Sequence, residues 1–153
     1  MSCDIEVEPA CVALYNELKL QKAHKYIIYS ISDDKKTVKV EKCPQTTGLE
    51  PKPESEEREA YKQFLSLLPS DDCRYIVYDF VFEKSPEDGL RNKICFIMWS
   101  PDTAPVRKKM LYASCKETSK SLLSGIALEI QATDEEEVSY DHIKEKLLVC
   151  FKN

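Results

Sequence analysis

The chain has 153 residues, 42% hydrophobic and 32% charged, with 27 acids against 22 bases and a formal net charge of −5. This composition excludes a disordered polymer and argues against general nucleic-acid affinity, which needs a broad basic surface to neutralise phosphates. One domain over residues 1–153 is expected, burying on folding roughly 68–70% of the unfolded chain's surface.

In chain order, "MSCDIEVEPA" carries acids where a signal peptide would carry bases, and no apolar run reaches membrane-spanning length, so a cytoplasmic place is expected. Residues 1–6 are read as a flexible N-terminal segment. After Pro9, Cys11, Leu14, Tyr15 and Leu18 recur at helical spacing. "HKYIIYSIS" (24–32) and "KTVKVEK" (36–42) read as two strands joined by a turn at Asp33 and Asp34. Residues 43–57, "CPQTTGLEPKPESEE", form a long loop. The overlapping "SEEREAYKQFLSLLP" places Tyr61, Phe64, Leu65 and Leu68 on one helical face, with acids in the first turn and Pro69 as the stop. "CRYIVYDFVF" (73–82) and "KICFIMWS" (93–100) are nearly continuous apolar runs, the pattern of strands covered on both faces, linked by the polar loop "EKSPEDGLRN" (83–92). A helix follows from Pro105, then a break at Gly125, a short strand "IALEIQA" (126–132), and a last helix after Ser139 with Ile143, Leu147, Cys150 and Phe151 inward. The order αββαββαβα predicts an α+β (α/β) fold: a central mixed sheet of five strands flanked by helices on both faces.

Seven cysteines are scattered without a CxxC pair, and the two histidines, His24 and His142, lie far from any cysteine pair. Neither a metal centre nor a cofactor is expected, and the cysteines read as reduced thiols used as small hydrophobes.

The stretch "WSPDTAPVRKKMLYASCKETSK" (99–120) concentrates positive charge in an acidic chain. With Pro105 as the first helical residue, Lys109, Lys116 and Lys120 fall within about 40° of one another. Met110 and Ala113 lie alongside, and Arg107 stands in the first turn. Leu111, Cys115, Thr118 and Leu122 lie opposite and are predicted to face the sheet, so the outward surface is expected to be a cationic row bordered by a small apolar strip. Glu117 alone is available on the helix to offset the lysines. An adaptable Met beside a small Ala suits a partner's groove.

"WSPDTAPVRKKMLYASCKETSKSLLSGI" resembles the signature of the actin-depolymerising factor/cofilin family in its tryptophan, Pro-Asp-x-Ala-Pro turn, Arg-x-Lys-Met and Tyr-Ala-Ser. "NELKL" (16–20), "DCRYIVYDF" (72–80), "RNKICFIMW" (91–99) and "EIQATDEEEVSYD" (129–141) extend the likeness in order and at the right spacing. The resemblance implies an ADF-homology, gelsolin-like fold, a monomeric protein and no enzyme activity. It implies actin as partner, bound as monomer and as filament, with severing and depolymerisation of filaments.

It further implies monomer and filament contacts at Ser2, Arg107, Lys109, Met110, Lys116, Glu117 and Lys120, and filament-only contacts at Arg91, Lys93, Glu145 and Lys146. Ser2 matches the family's regulatory phosphoserine, the substrate of a protein kinase; a phosphate there would add about −1.5 to −2 charges and oppose docking on an acidic partner. Phosphoinositide lipids are implied at Lys109, Lys116 and Lys120. The place implied is the cytoplasm and the actin cytoskeleton, with the nucleus as a further one, although "DDKKTVKV" holds only Lys35 and Lys36 as a basic pair. Val149 stands where members often carry a base, and the tail "LLVCF" is apolar. This favours an alternative, a monomer-sequestering or branched-filament-complex-binding relative with little severing. A remoter alternative is a thiol enzyme using Cys115, for which no paired base is evident.

Overall fold

The computed structural model describes residues 4–45 and 51–150. Six strands form one sheet: β1 (Glu6–Val7), β2 (Tyr26–Ile31), β3 (Thr37–Lys42), β4 (Arg74–Ser85), β5 (Gly89–Trp99) and β6 (Leu128–Ala132). Their spatial order is β1-β3-β2-β4-β5-β6. The outer pairs β1–β3 and β5–β6 are parallel, and the three inner pairs are antiparallel, so the sheet is mixed.

Among the described residues, four α-helices cover it: α1 (Pro9–Asn16), α2 (Glu54–Leu65), α3 (Val106–Lys120) and α4 (Tyr140–Cys150). Alternation along β4 divides the core in two. Tyr75 and Val77 face α1 and α3 with Cys11, Tyr15, Tyr112 and Cys115. Ile76, Tyr78, Phe80 and Phe82 face α2 and α4 with Tyr61, Phe64, Ile143 and Leu147. The near-continuous apolar reading of β4 and β5 follows, since both faces of each strand are covered.

Among the described residues the sheet has six strands rather than five. Glu6–Val7 pair with Thr37–Val38, and Ile5 is buried, so residues 5–7 are anchored rather than loose. The segment 83–92, expected as a loop, largely continues the ladder: Glu83 pairs with Leu90 and Ser85 with Gly89, leaving a tight turn at 86–88. Helix α2 begins at Glu54, so the connection after β3 is shorter than 43–57. The first helix is prolonged by one π-helical stretch, Glu17–Gln21, ending in a left-handed Lys22. On α4 the inward residues are Tyr140, Ile143 and Leu147; Cys150 is exposed, and Phe151 lies outside the described residues.

Gly125, between α3 and β6, has φ +86°, and a Cβ there would stand 2.7 Å from Lys19 Nζ. Lys19 donates to Ser124 O at 3.0 Å and Tyr15 OH to the same carbonyl at 2.5 Å. Helix α1 and its π-helical extension are thereby tied to the chain leaving α3.

Candidate functional site

The start of α3 is set by the turn before it. Trp99 Nε1 donates to Pro69 O at 2.7 Å, Ser100 N to Ala132 O at 2.9 Å, and Asp102 N to Thr133 O at 3.2 Å. The Thr103 hydroxyl donates to Ser70 O, and Ala104 N closes the turn on Pro101 O at 2.9 Å. Pro105 then supplies extended backbone (φ −59°, ψ 142°) at the cap, with no side-chain cap and no acid in the first turn. The amides of that turn and the helix dipole leave the α3 N-terminus electropositive.

Three side chains of this turn project differently. Arg107 is exposed, with no ion pair or side-chain hydrogen bond among the described residues. Lys108 leans back to Asp72 Oδ1 at 3.7 Å, where Arg74 also pairs with Asp72 Oδ2 at 2.9 Å. Lys109 is half-buried, its Nζ 3.4 Å from Asp102 O. Met110 is 64% exposed, and Val106, one turn earlier, 65%. The exposed crest of α3 therefore opens with Arg107, Val106 and Met110, an apolar pair beside one cation.

The lysine row is not the outward face. The residues of α3 buried against the sheet are Tyr112, Cys115 and Ser119, so the inner stripe is rotated from the one expected; Leu122 is 57% exposed, and Leu123 is buried in its place. Tyr112 and Ser119 lay outside the expected stripe, yet both find partners inside. Ile31 N donates to Tyr112 OH at 2.9 Å, and Ser119 Oγ donates to Cys115 O at 2.7 Å. Lys116 and Lys120 consequently flank the buried stripe. Lys116 Nζ lies 2.9 Å from Glu129 Oε1, and Lys120 bonds the other oxygen of that carboxylate while reaching Glu117 at 3.3 Å. The bond to Glu129 raises the Lys120 ammonium above its ordinary value. Burial opposes the charged form of Glu129, but the two ammonium groups outweigh it and hold the carboxyl below its ordinary value. Glu129 was missed in sequence, although a signal existed: Leu128, Ile130 and Ala132 alternate toward α2 and α4, which turns Glu129 toward α3.

The residues expected at a second surface sit on the opposite side of the sheet. Past Tyr26 the strand β2 ends, and past Leu128 the strand β6 begins its pairing, so the outer half of the β4–β5 hairpin overhangs its neighbours. Arg91 and Lys93 lie opposite Phe82 and Phe80, which places them on the α2/α4 face. Glu145 and Lys146 are exposed on α4, on that same side, followed by Val149 at 63% exposure. Ser2 lies outside the described residues.

Cys115, considered as a nucleophile, is 1% exposed and disulfide-bonded, so it offers no thiolate and is not the reduced thiol expected. Cys11, Cys43, Cys73, Cys95 and Cys150 are free. Burial pushes the Cys11 and Cys43 thiols up to about 11 and Cys95 to about 12, which suits packing and not attack. No helix among the described residues is long and apolar enough to cross a membrane.

A mixed sheet between two helix pairs thus presents an Arg–Met helix start on one side and a charged overhanging hairpin on the other. The family described as "Cofilin/tropomyosin-type actin-binding protein" matches residues 4–148. Cofilin of Yarrowia lipolytica is 43% identical over 143 residues, covering 94% of this chain and 86% of that relative. Cofilin of Mycosarcoma maydis is 42% identical over 147 residues, 96% of each chain. The crystal structure of Streptomyces griseoflavus cofilin shares the fold with a TM-score of 0.79 at 36% identity, over 97% of this chain and 98% of that one. The chain belongs to the cofilin/ADF family of actin-binding proteins.

Proposed function

We propose that this protein binds actin monomers and filaments and promotes filament severing and depolymerisation. The observation that carries the reading is the pair Arg107 and Met110, exposed at the head of a helix whose preceding turn is bonded on several sides. Arg107 and Lys109 meet carboxylates or carbonyls of an acidic partner, and Met110 with Val106 enters an apolar gap. Charge of this kind speeds encounter and fixes register more than it adds affinity. Glu117, Lys116 and Lys120 extend the contact along α3, with the lysines already shared with Glu129.

The hairpin residues Arg91 and Lys93, with Glu145 and Lys146 of α4, form the filament-only surface. Two faces on opposite sides of one sheet let a single molecule bridge neighbouring subunits. Tighter binding to one filament geometry then shifts the filament toward a twisted, less well-bonded state, without chemistry. Phosphoinositide binding rests mainly on Lys109, because Lys116 and Lys120 are offset by Glu129 and Glu117. Control through Ser2 by a kinase, action in the cytoplasm or nucleus, and a monomeric state complete the reading.

Co-sedimentation with filaments, monomer titration and imaging of dilute filaments test it together. Arg107→Ala with Lys109→Ala should abolish both binding modes with the fold intact, whereas Arg91→Ala with Lys93→Ala should spare monomers and weaken filament binding. Equal loss from the second pair in both assays defeats the two-surface division. A second reading, sequestration with little severing, is favoured by exposed, apolar Val149 on α4; unchanged fragment counts in the imaging assay would establish it.

A further inference from the structure

We propose that Glu54 is a positioning residue that holds the β4–β5 hairpin and α4 together as one filament-contact surface. The inference rests on the two-surface reading above. In β4 the odd-numbered residues direct their N–H and C=O toward β2. Asp79 N still bonds Lys25 O at 2.9 Å, but β2 does not continue beyond Lys25, which leaves this edge at Val81 and Glu83 without a strand. Helix residues take the strand's place. Tyr140 OH, from the first residue of α4, donates to Val81 O at 2.5 Å, and Glu83 N donates to Glu54 Oε2 at the start of α2.

The Glu54 carboxylate does more than meet one edge amide. Lys144 Nζ of α4 donates to both of its oxygens at 2.8 Å, and Arg58 lies 3.5 Å from Oε1. Burial disfavours its charged form, but Lys144 and the Glu83 amide outweigh that and keep the carboxyl below its ordinary value. One side chain thus joins three elements. Its partners lie beside the candidate filament residues: Glu83 is paired with Leu90, next to Arg91, while Lys144 precedes Glu145 and Lys146 in α4. Stacking of Phe80 on Tyr140, with centroids 4.5 Å apart, sets the base of the overhang. Glu54 sets its outer part, where a rotation of the hairpin against α4 would separate the two halves of the surface.

Glu54→Ala and Glu54→Gln are compared with the parent and with the Arg91→Ala/Lys93→Ala variant in filament co-sedimentation and monomer titration. Glu54→Ala should bind filaments roughly fivefold more weakly and monomers within about twofold of the parent. Glu54→Gln should fall between, since its amide oxygen still accepts the Glu83 N–H. Amide exchange should quicken at 80–93 and not at 94–99. Parent-like filament binding by Glu54→Ala, with the Arg91/Lys93 variant weakened, overturns the positioning role and leaves the two-surface reading standing. Parent-like binding by the Arg91/Lys93 variant removes both. Should Glu54→Ala fail to fold or lose both binding modes, Lys144→Ala decides, because it removes the Lys144 bonds of α4 to Glu54 while keeping the Glu54–Glu83 bond. A filament-selective loss then supports the proposal, and equal loss or none refutes it.

Discussion

Truncating Met110 to alanine separates docking from folding cleanly. The side chain is 64% exposed and sits on a helix crest, so its removal leaves no hole in the core, and alanine is at least as good a helix former. Full burial of a methionine side chain is worth about 1.5–3 kcal/mol. Roughly two-thirds of it is still in water here, so its seating in a partner would contribute about 1–2 kcal/mol by the same scale. Met110→Ala should therefore weaken monomer binding by about five- to thirtyfold. A fluorescence titration against actin monomers reads this, with thermal unfolding as the control; the midpoint should hold within about 1 °C. The loss should also be insensitive to salt, unlike that of Arg107→Ala, because it removes an apolar contact and not a charge. An affinity within about twofold of the parent, with folding intact, would mean that Met110 stays in water when the partner docks.

Three further outcomes probe the scaffold. Tyr112→Phe leaves the buried Ile31 N–H without its acceptor and should lower the unfolding free energy by about 1–3 kcal/mol in urea titration; a neutral result would place a different acceptor there. Gly125→Ala forces a Cβ onto a φ of +86° and displaces Lys19 from Ser124, for a loss of about 1–2 kcal/mol by the same measurement. Glu54, Asp72 and Glu129 are each held below the ordinary carboxylate value. Their contribution to stability is thus fully present above the unfolded-state value of about 4 and is lost as pH falls through the folded-state values. The urea midpoint should drop on acidification below about pH 4.5, and less steeply in a Glu54→Gln/Glu129→Gln variant; identical slopes would contradict the assignment.

The sheet was legible because it is central. β4 and β5 are buried on both faces, and an uninterrupted apolar run is what such strands require. The two-residue β1 left no pattern to read, since Glu6–Val7 is too short to show alternation, and only pairing with Thr37–Val38 defines it. The hairpin's outer half read as loop because its polar residues face water beyond the ends of β2 and β6. On α3 the basic residues were found, but their direction was not. The wheel centred on Leu111, Cys115, Thr118 and Leu122 puts the core on the wrong side of Cys115, whereas Tyr112 and Ser119 are buried with their hydroxyls engaged, and that choice rotates the helix. The alternation of β6 turns Glu129 toward α3 but does not name its lysine partners, and Glu54 acquires its role from Glu83 and Lys144, residues distant in the chain that no local pattern encodes.

The turn at residues 100–104 carries one more consequence. Trp99, Ser100, Asp102 and Thr103 are anchored to Pro69, Ala132, Thr133 and Ser70 by hydrogen bonds within the chain itself. The head of α3 is accordingly presented in a fixed pose, and the entropy of ordering it is lost when the chain folds and not when a partner arrives. Association through this helix should then behave as rigid-body docking, with a heat-capacity change matching the apolar area covered and no added signature of coupled folding.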